Sequence, residues 1–127
     1  METNIKKPVI LVVDDEPDMC EMLSELLSDE GYKLETATNG KDAVKKVLGG
    51  SVDIVLLDIM MPGQDGIDTL RQIKDIRPKL PVVMITGFGT LSTDRNAMKL
   101  GAYDYIKKPF NIDCIKEIIK QGLEEQD

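Results

Sequence analysis

The sequence contains no histidine among its 127 residues. This absence excludes histidine-dependent catalytic triads, zinc sites with imidazole ligands and a phosphohistidine intermediate on this chain. Any chemistry must therefore use carboxylates, hydroxyls, lysine or a bound metal. Cysteine is scarce as well. Cys20 and Cys114 are far apart and have no metal-like spacing, so we expect two reduced, partly buried thiols.

Basic residues and long apolar runs are also in short supply. There are 16 basic and 23 acidic residues, which gives a net charge of -7. A domain with this balance is not expected to bind nucleic acid directly or to adhere to an anionic membrane. No apolar run approaches the roughly 20 residues that a membrane helix needs. The apolar stretch near the N-terminus is too short for a signal peptide, so we expect a cytoplasmic protein.

The chain shows a regular alternation of short apolar runs and amphipathic stretches. Apolar, mostly β-branched runs predict strands, and apolar residues at helical spacing predict a helix after each strand. Residues 61–66 are dense in turn residues and predict a loop. The fourth helix is expected over about 91–100. The strands are predicted at 9–13, 34–37, 54–57, 82–85 and 103–106.

Strict alternation of strand and helix predicts an α/β fold of the (βα)5 type. We expect a doubly wound, five-stranded parallel sheet in the flavodoxin-like order 2-1-3-4-5, with helices on both faces. No internal linker or low-complexity segment interrupts the pattern. The sequence therefore predicts a single domain over residues 1–127, with its core at about 8–123 and no output domain within these residues.

Polar residues follow the predicted strands at the points where the strands end. Asp14 and Asp15 follow the first strand, Asp58 the third, Thr86 the fourth and Lys108 the fifth. A single polar residue at a strand end is usually structural, but with this strand order all five gather on one rim. Carboxylates about 5 Å apart repel by about 3 kcal/mol per pair at an effective dielectric near 20. Such a cluster requires a divalent cation or raised pKa values.

This donor set suits magnesium and phosphoryl chemistry. Oxygen-only ligation favours Mg²⁺, with Mn²⁺ as a substitute, and such a cation would withdraw charge from an incoming phosphoryl group. Lys108 would pair with one phosphoryl oxygen, and Thr86 would donate a hydrogen bond to another. Asp58 is then the expected nucleophile, and it would form an aspartyl phosphate.

Three segments of the chain resemble a known family. Val-Val-Asp-Asp-Glu-Pro at 12–17, Leu-Leu-Asp-Ile-Met-Met-Pro-Gly at 56–63 and Ala-Tyr-Asp-Tyr-Ile-Lys-Lys-Pro-Phe at 102–110 are similar to the receiver domain of bacterial two-component response regulators. The resemblance extends from about Pro8 to Leu123. It implies a phospho-accepting signalling domain rather than an enzyme, one that assists its own phosphorylation and dephosphorylation. The phosphoryl donor would be a sensor histidine kinase or a phosphotransfer protein.

The resemblance also implies roles for individual residues. Asp58 would accept the phosphoryl group, and Lys108 would contact it. Asp14, Asp15 and Asp58 would hold Mg²⁺ together with the backbone carbonyl of Met60.

A switch is implied as well. Thr86 and Tyr105 would form the switch pair, in which the hydroxyl moves toward the phosphoryl group and the ring turns inward. Pro109 follows Lys108 in a bond that is often cis in the family. The switched surface would be helix 4, strand 5 and helix 5, and its mixed charge would suit pairing in a symmetric homodimer, although solvated charge is the simpler interpretation. We expect this surface to carry Arg95, Lys99, Asp104, Lys107 and Lys116.

Two residues near the acceptor are expected to tune its behaviour. The apolar side chain of Met60 cannot position an attacking water as an amide or acid would, so we hypothesise a long-lived phosphoryl group. Gly87 leaves space beside that group, although it also serves the loop. The Thr-Gly-Phe-Gly-Thr segment at 86–90 is similar to receivers attached to transcription-activating ATPase domains.

Other functions fit the sequence less well. A flavodoxin-like electron carrier needs a phosphate-binding loop after the first strand, where Asp14, Asp15 and Glu16 would repel the flavin phosphate. An aspartyl-phosphate phosphatase usually has a second aspartate two residues after the nucleophile, where this chain has Met60. A nucleotide-binding P-loop is absent around residues 40–42. A protein-binding module with an inactive acceptor is disfavoured because all five strand-end residues are present.

Overall fold

The structure is a computed structural model that describes residues 7–58, 60–61, 64–86, 95, 97–107 and 111–124, without the side chains of residues 60, 61, 64, 65 and 86. The sheet strands are β1 (Val9–Val13), β2 (Lys33–Ala37), β3 (Ile54–Asp58), β4 (Val82–Thr86) and β5 (Asp104–Lys107). Helix α4 includes the helical residues Arg95 and 97–99. The other helices are α1 (Pro17–Ser28), α2 (Gly40–Leu48), α3 (Gly66–Ile76) and α5 (Ile112–Glu124).

The sheet order is β2-β1-β3-β4-β5, and each neighbouring pair is parallel. This confirms the predicted doubly wound topology. All residues of β1 and β3 are buried, as expected for central strands that are covered on both faces. β2 lies at one edge and is only partly buried, in agreement with its more polar sequence.

Two hydrophobic clusters cover the two faces of the sheet because successive side chains of a strand point in opposite directions. Leu11 and Val13 of β1 belong to the cluster that includes side chains of α2 and α3. Ile10 and Val12 belong to the cluster that includes side chains of α1 and α5. The two clusters pack against the sheet from both sides and thereby fix the position of the carboxyl ends of the strands.

Two helices begin where the local sequence supplies a start signal. Pro17 occupies the first turn of α1, where a missing N–H costs no helical hydrogen bond. Asn39 caps α2, because its side-chain oxygen accepts a hydrogen bond of 2.8 Å from the backbone N–H of Asp42. Both helices therefore begin at a residue type that favours a helix start.

The segment at residues 60–66 and the exposure of Cys114 differ from the sequence-based expectation. Residues 61–66 were predicted as a loop, but Met60–Met61 pairs with Gln64–Asp65 as two short antiparallel strands, and α3 begins at Gly66. Two-residue strands are too short to produce a recognisable alternation. Cys20 is buried as expected, whereas Cys114 is exposed, and both thiols are free.

Within residues 7–124, apart from the gaps stated above, no helix has the length and apolar character needed to cross a membrane.

Candidate functional site

The register of the sheet brings the first two acidic strand ends together. β1 and β3 are paired so that Val13 lies opposite Leu57. The residue that follows Val13 is Asp14, and the residue that follows Leu57 is Asp58, the last residue of β3. The carboxylates predicted from separate parts of the sequence thus occupy neighbouring positions on one edge.

The same register extends across the sheet to the remaining predicted residues. Asp58 lies opposite Ile85, so Thr86 stands one residue further along β4. Thr86 lies opposite Lys107, the last residue of β5, and Lys108 follows it in the sequence. Thr86 is placed here by its backbone. Lys108 itself, with Pro109 and Gly87, lies outside the described residues, as do the side chains of Thr86 and Met60.

Asp14 and Asp58 are the most enclosed acidic residues of this edge. Their exposed fractions are 2% and 3%, and with Thr69 they are the buried polar residues of the described chain. Burial of a carboxylate is costly unless hydrogen bonds or charges compensate it. Asp14 accepts a hydrogen bond of 3.0 Å from the backbone N–H of Glu16, which fixes the orientation of its carboxylate at the turn between β1 and α1.

Three consecutive acids form a group of potential metal ligands. Carboxylate oxygens of Asp14, Asp15 and Glu16 all lie within 4.8 Å of one another. Asp14 and Asp15 are thereby brought together as predicted. Glu16 was not predicted as a ligand, although three acids in a row at a strand-to-helix turn could have indicated it. Asp58 lies outside this group, and the strand register places it beside Asp14.

This acidic group fits the chemistry of Mg²⁺. Hard oxygen donors of high negative charge are the ligands that this ion prefers, and it keeps some water in its shell when few protein ligands are available. Glu16 precedes α1 without capping it through its side chain, so its carboxylate is not used by the helix. The residues at this edge therefore fit a divalent cation.

A buried thiol lies directly behind the acidic turn. Cys20 Sγ donates a hydrogen bond to the backbone carbonyl of Asp14 at 3.5 Å. Burial, and after it the negative charge of Asp14, raises the pKa of Cys20 above its ordinary value. The thiol therefore stays protonated and can act as a donor to the loop. This contact could not be predicted from the sequence pattern, because Cys20 is separated from Asp14 by the first turn of α1.

Tyr105, the second residue of β5, is half-buried and packs against the cluster that covers the α2 and α3 face. It lies opposite Met84, two residues before the Thr86–Lys107 pair. Its backbone N–H is bonded to the side chain of Asp104 at 2.8 Å. The ring is thus partly inserted in the structure, on the strand that leads to the predicted phosphoryl-binding lysine.

The predicted charged surface is only partly reproduced. Arg95, Lys99 and Lys107 are exposed, as expected. Lys116, however, forms an ion pair of 3.5 Å with Glu30, which follows α1. Its charge therefore faces α1 and not the predicted surface of α4, β5 and α5. Helical spacing places a residue on a helix, but the packing of that helix decides which neighbour it meets.

Comparison with known families and proteins agrees with this geometry. The family model described as the response regulator receiver domain matches residues 10–120. The nitrogen assimilation regulatory protein NtrX of Azorhizobium caulinodans is 42% identical over 117 residues, which cover 91% of this chain and 26% of that protein. The transcriptional regulatory protein ZraR of Klebsiella oxytoca is 40% identical over 114 residues, which cover 90% of this chain and 26% of that protein. The chain thus spans about a quarter of the length of these curated relatives.

Solved structures show the same fold. A CheY-like receiver domain protein from Methanospirillum hungatei superposes with a TM-score of 0.91 at 30% identity, over 95% of this chain and 97% of that one. The receiver domain of NtrX from Brucella abortus superposes with a TM-score of 0.85 at 41% identity, over 91% of this chain and 98% of that one.

Proposed function

Since the chain belongs to the response regulator receiver domain family, we propose that Asp58 accepts a phosphoryl group from a sensor histidine kinase or a phosphotransfer protein. One observation carries this proposal. Asp58 is the last residue of a fully buried central strand. Three carboxylates that lie within 4.8 Å of one another follow the neighbouring strand β1 at the same end of the sheet. A nucleophile beside a cation-binding acidic group is the arrangement that phosphoryl transfer requires.

The proposed reaction needs little covalent chemistry from the protein. A carboxylate oxygen of Asp58 attacks the phosphorus, the bond between phosphorus and the donor nitrogen breaks, and the released imidazole takes up a proton. Asp14, Asp15 and Glu16, together with Asp58 and the backbone carbonyl of Met60, are the groups that would hold Mg²⁺. When bound, this ion would reduce the negative charge that the attacking carboxylate meets. Lys108 would pair with a phosphoryl oxygen.

The phosphorylated state would act as a signal and not as a product. In this proposal Thr86 and Tyr105 respond to the phosphoryl group, and the change reaches the surface of α4, β5 and α5, where a second copy would pair. The domain is then a phospho-acceptor that assists its own phosphorylation and dephosphorylation, rather than an enzyme that releases a product. A cytoplasmic location forms part of the proposal, because the donor kinase draws its phosphoryl group from ATP.

Acetyl phosphate provides a direct test with a single purified protein. The chain is incubated with acetyl phosphate and Mg²⁺ and analysed by intact mass. We expect the mass of one phosphoryl group on the wild type and on Asp75→Asn, a matched control at an exposed aspartate of α3. Asp58→Asn should gain none. A wild type that stays unmodified, or an Asp58→Asn variant modified to the same degree, would overturn the proposal.

A further inference from the structure

A cavity of about 320 Å³ lies at the edge of the sheet opposite to Asp58. Pro81 directly precedes β4 and Tyr103 directly precedes β5, so the cavity lies where these two strands begin. Its volume is at the lower end of the range of roughly 300–1,000 Å³ that is typical of small-molecule sites. Residues that line it include Lys74, Lys79, Pro81, Ala102, Tyr103 and Gly122.

Lys74 gives this cavity a partly desolvated positive charge. Its Nζ donates a hydrogen bond of 2.8 Å to the backbone carbonyl of Leu80. An ammonium group has three donors, so further hydrogen-bonding capacity is left. Among the residues that the structure describes, no carboxylate forms an ion pair with Lys74. Burial lowers the pKa of Lys74 below its ordinary value. This direction is expected for an ammonium group that is partly removed from water and has no strong compensating charge beside it.

Lys79 adds a second positive charge from a different element. It is exposed and belongs to the connection between α3 and β4. None of the described lining residues is acidic, although the chain as a whole has a net charge of -7. Pro81, Ala102 and Tyr103 supply apolar surface beside the two ammonium groups. The lining thus combines an apolar wall with two cations.

The neighbouring helix ends set a limit on this positive potential. α3 and α5 both end near this edge, and the carbonyl end of a helix carries about half a negative charge. A single lysine would be largely offset by these ends, and the simplest role of Lys74 is to stabilise them. Lys79 lies beyond the end of α3 and provides the additional charge. Lys79 is therefore expected to add to the affinity for an anion at this position.

We propose that this cavity binds a small organic anion, in which one carboxylate or phosphate group pairs with Lys74 and Lys79 and an apolar body packs against Pro81 and Tyr103. The shared chemistry is an oxyanion attached to a small apolar body. This inference does not depend on phosphorylation of Asp58, because the two sites lie at opposite edges of the sheet.

Amide NMR titration of the whole chain in Mg²⁺-free buffer tests the proposal. The probes are benzoate, phenyl phosphate and the uncharged benzamide. We expect saturable shifts of the amides of Gly101, Ala102, Tyr103 and Gly122 with at least one anion, the responding anion identifying the oxyanion class, and no saturable shifts with benzamide. The same shifts should appear in Asp58→Asn, which separates this cavity from the phosphorylation site.

Lysine variants give the decisive comparison. Lys79→Gln should weaken binding about fivefold, since an exposed charge pair contributes modestly. Lys74→Met should weaken binding at least as much. If Lys74→Met also lowers the stability of the protein, Lys79→Gln still tests the proposal, because Lys79 is exposed and its substitution leaves the fold intact. Lys41→Gln on α2 is the matched control and should bind as the wild type does. The proposal is overturned by shifts that do not saturate with either anion, by benzamide binding as well as benzoate, or by Lys79→Gln binding unchanged.

Discussion

Cys20 Sγ donates a hydrogen bond to the backbone carbonyl of Asp14 at 3.5 Å and so connects the first turn of α1 to the acidic turn after β1. The contact is enclosed, because Cys20 is 4% exposed and Asp14 is 2% exposed. It ties a core side chain to the loop that carries the candidate metal ligands.

The two thiols should differ strongly in reactivity. Cys114 is exposed on α5, whereas Cys20 is enclosed in the core behind the acidic turn. We expect iodoacetamide to alkylate Cys114 much faster than Cys20 in the native protein, because access to Cys20 requires opening of the structure. Intact mass over time should show one added label natively and two in urea. Equal labelling rates of Cys20 in native Cys114→Ser and in the urea-unfolded variant would contradict this expectation.

The magnesium site can be tested apart from phosphorylation. Asp14→Asn removes a buried charge from the acidic group, and we expect about tenfold or greater loss of Mg²⁺ affinity, as is usual when a group that supports a metal site is lost. Isothermal titration calorimetry with Mg²⁺ measures the affinity of each protein for the ion. Asp75→Asn on α3 serves as the control for a general change in net charge. An Asp14→Asn variant with wild-type affinity would remove Asp14 from the ligand set.

The cap of α2 should contribute measurable stability. Asn39 accepts a hydrogen bond from the backbone of Asp42 at 2.8 Å. Asn39→Ala should lower the free energy of unfolding by about 1 kcal/mol, because the loss leaves a backbone donor of the first turn without its partner. Asn39→Ser retains a capping oxygen and should lose less. Urea unfolding of the three proteins gives the comparison, and equal midpoints for all of them would exclude a stabilising cap.

Gly122 should resist the usual benefit of alanine in a helix. A Cβ at this position would lie 3.0 Å from Cδ1 of Ile54, which is fully buried. Gly122→Ala alone is therefore expected to destabilise the protein, although alanine is favoured over glycine by about 1 kcal/mol in a helix interior. In an Ile54→Val background the clashing methyl is absent, and Gly122→Ala should become neutral or stabilising. Unfolding free energies of the four proteins form a double-mutant cycle, and additive effects would refute the contact.

Tyr32 should make stability fall at alkaline pH. Burial, and after it the charges of Glu30 and Glu124, raises the pKa of this phenol. The folded state then keeps the proton at a pH where the unfolded state releases it. The corresponding stability is fully present below the unfolded pKa of about 10 and is lost as pH rises through the folded pKa.

A matched variant isolates this effect. Tyr32→Phe keeps the ring and removes the ionising group, so its free energy of unfolding should fall less steeply above about pH 10. Lys116, which pairs with Glu30, is present in both proteins. Urea unfolding at a series of pH values provides the measurement. Parallel curves for the two proteins would show that Tyr32 carries no such linkage.

The sequence determined the order and type of the main elements. Buried strands such as β1 and β3 are continuous apolar runs, and amphipathic helices repeat their apolar residues every three or four positions, so local periodicity is sufficient to identify them. The strand ends were also readable, because Asp14 and Asp58 interrupt such runs abruptly. The family resemblance then supplied the roles that periodicity alone does not provide.

Only the tertiary structure decided which side chains meet. Lys116 faces Glu30 because of the way in which α5 is packed. Likewise, the cavity beside Lys74 and the contact of Cys20 with Asp14 join residues from separate elements. Such contacts depend on strand register and on the rotation of each helix. These are set by packing over the whole core, whereas the sequence pattern of a single segment specifies only its own conformation.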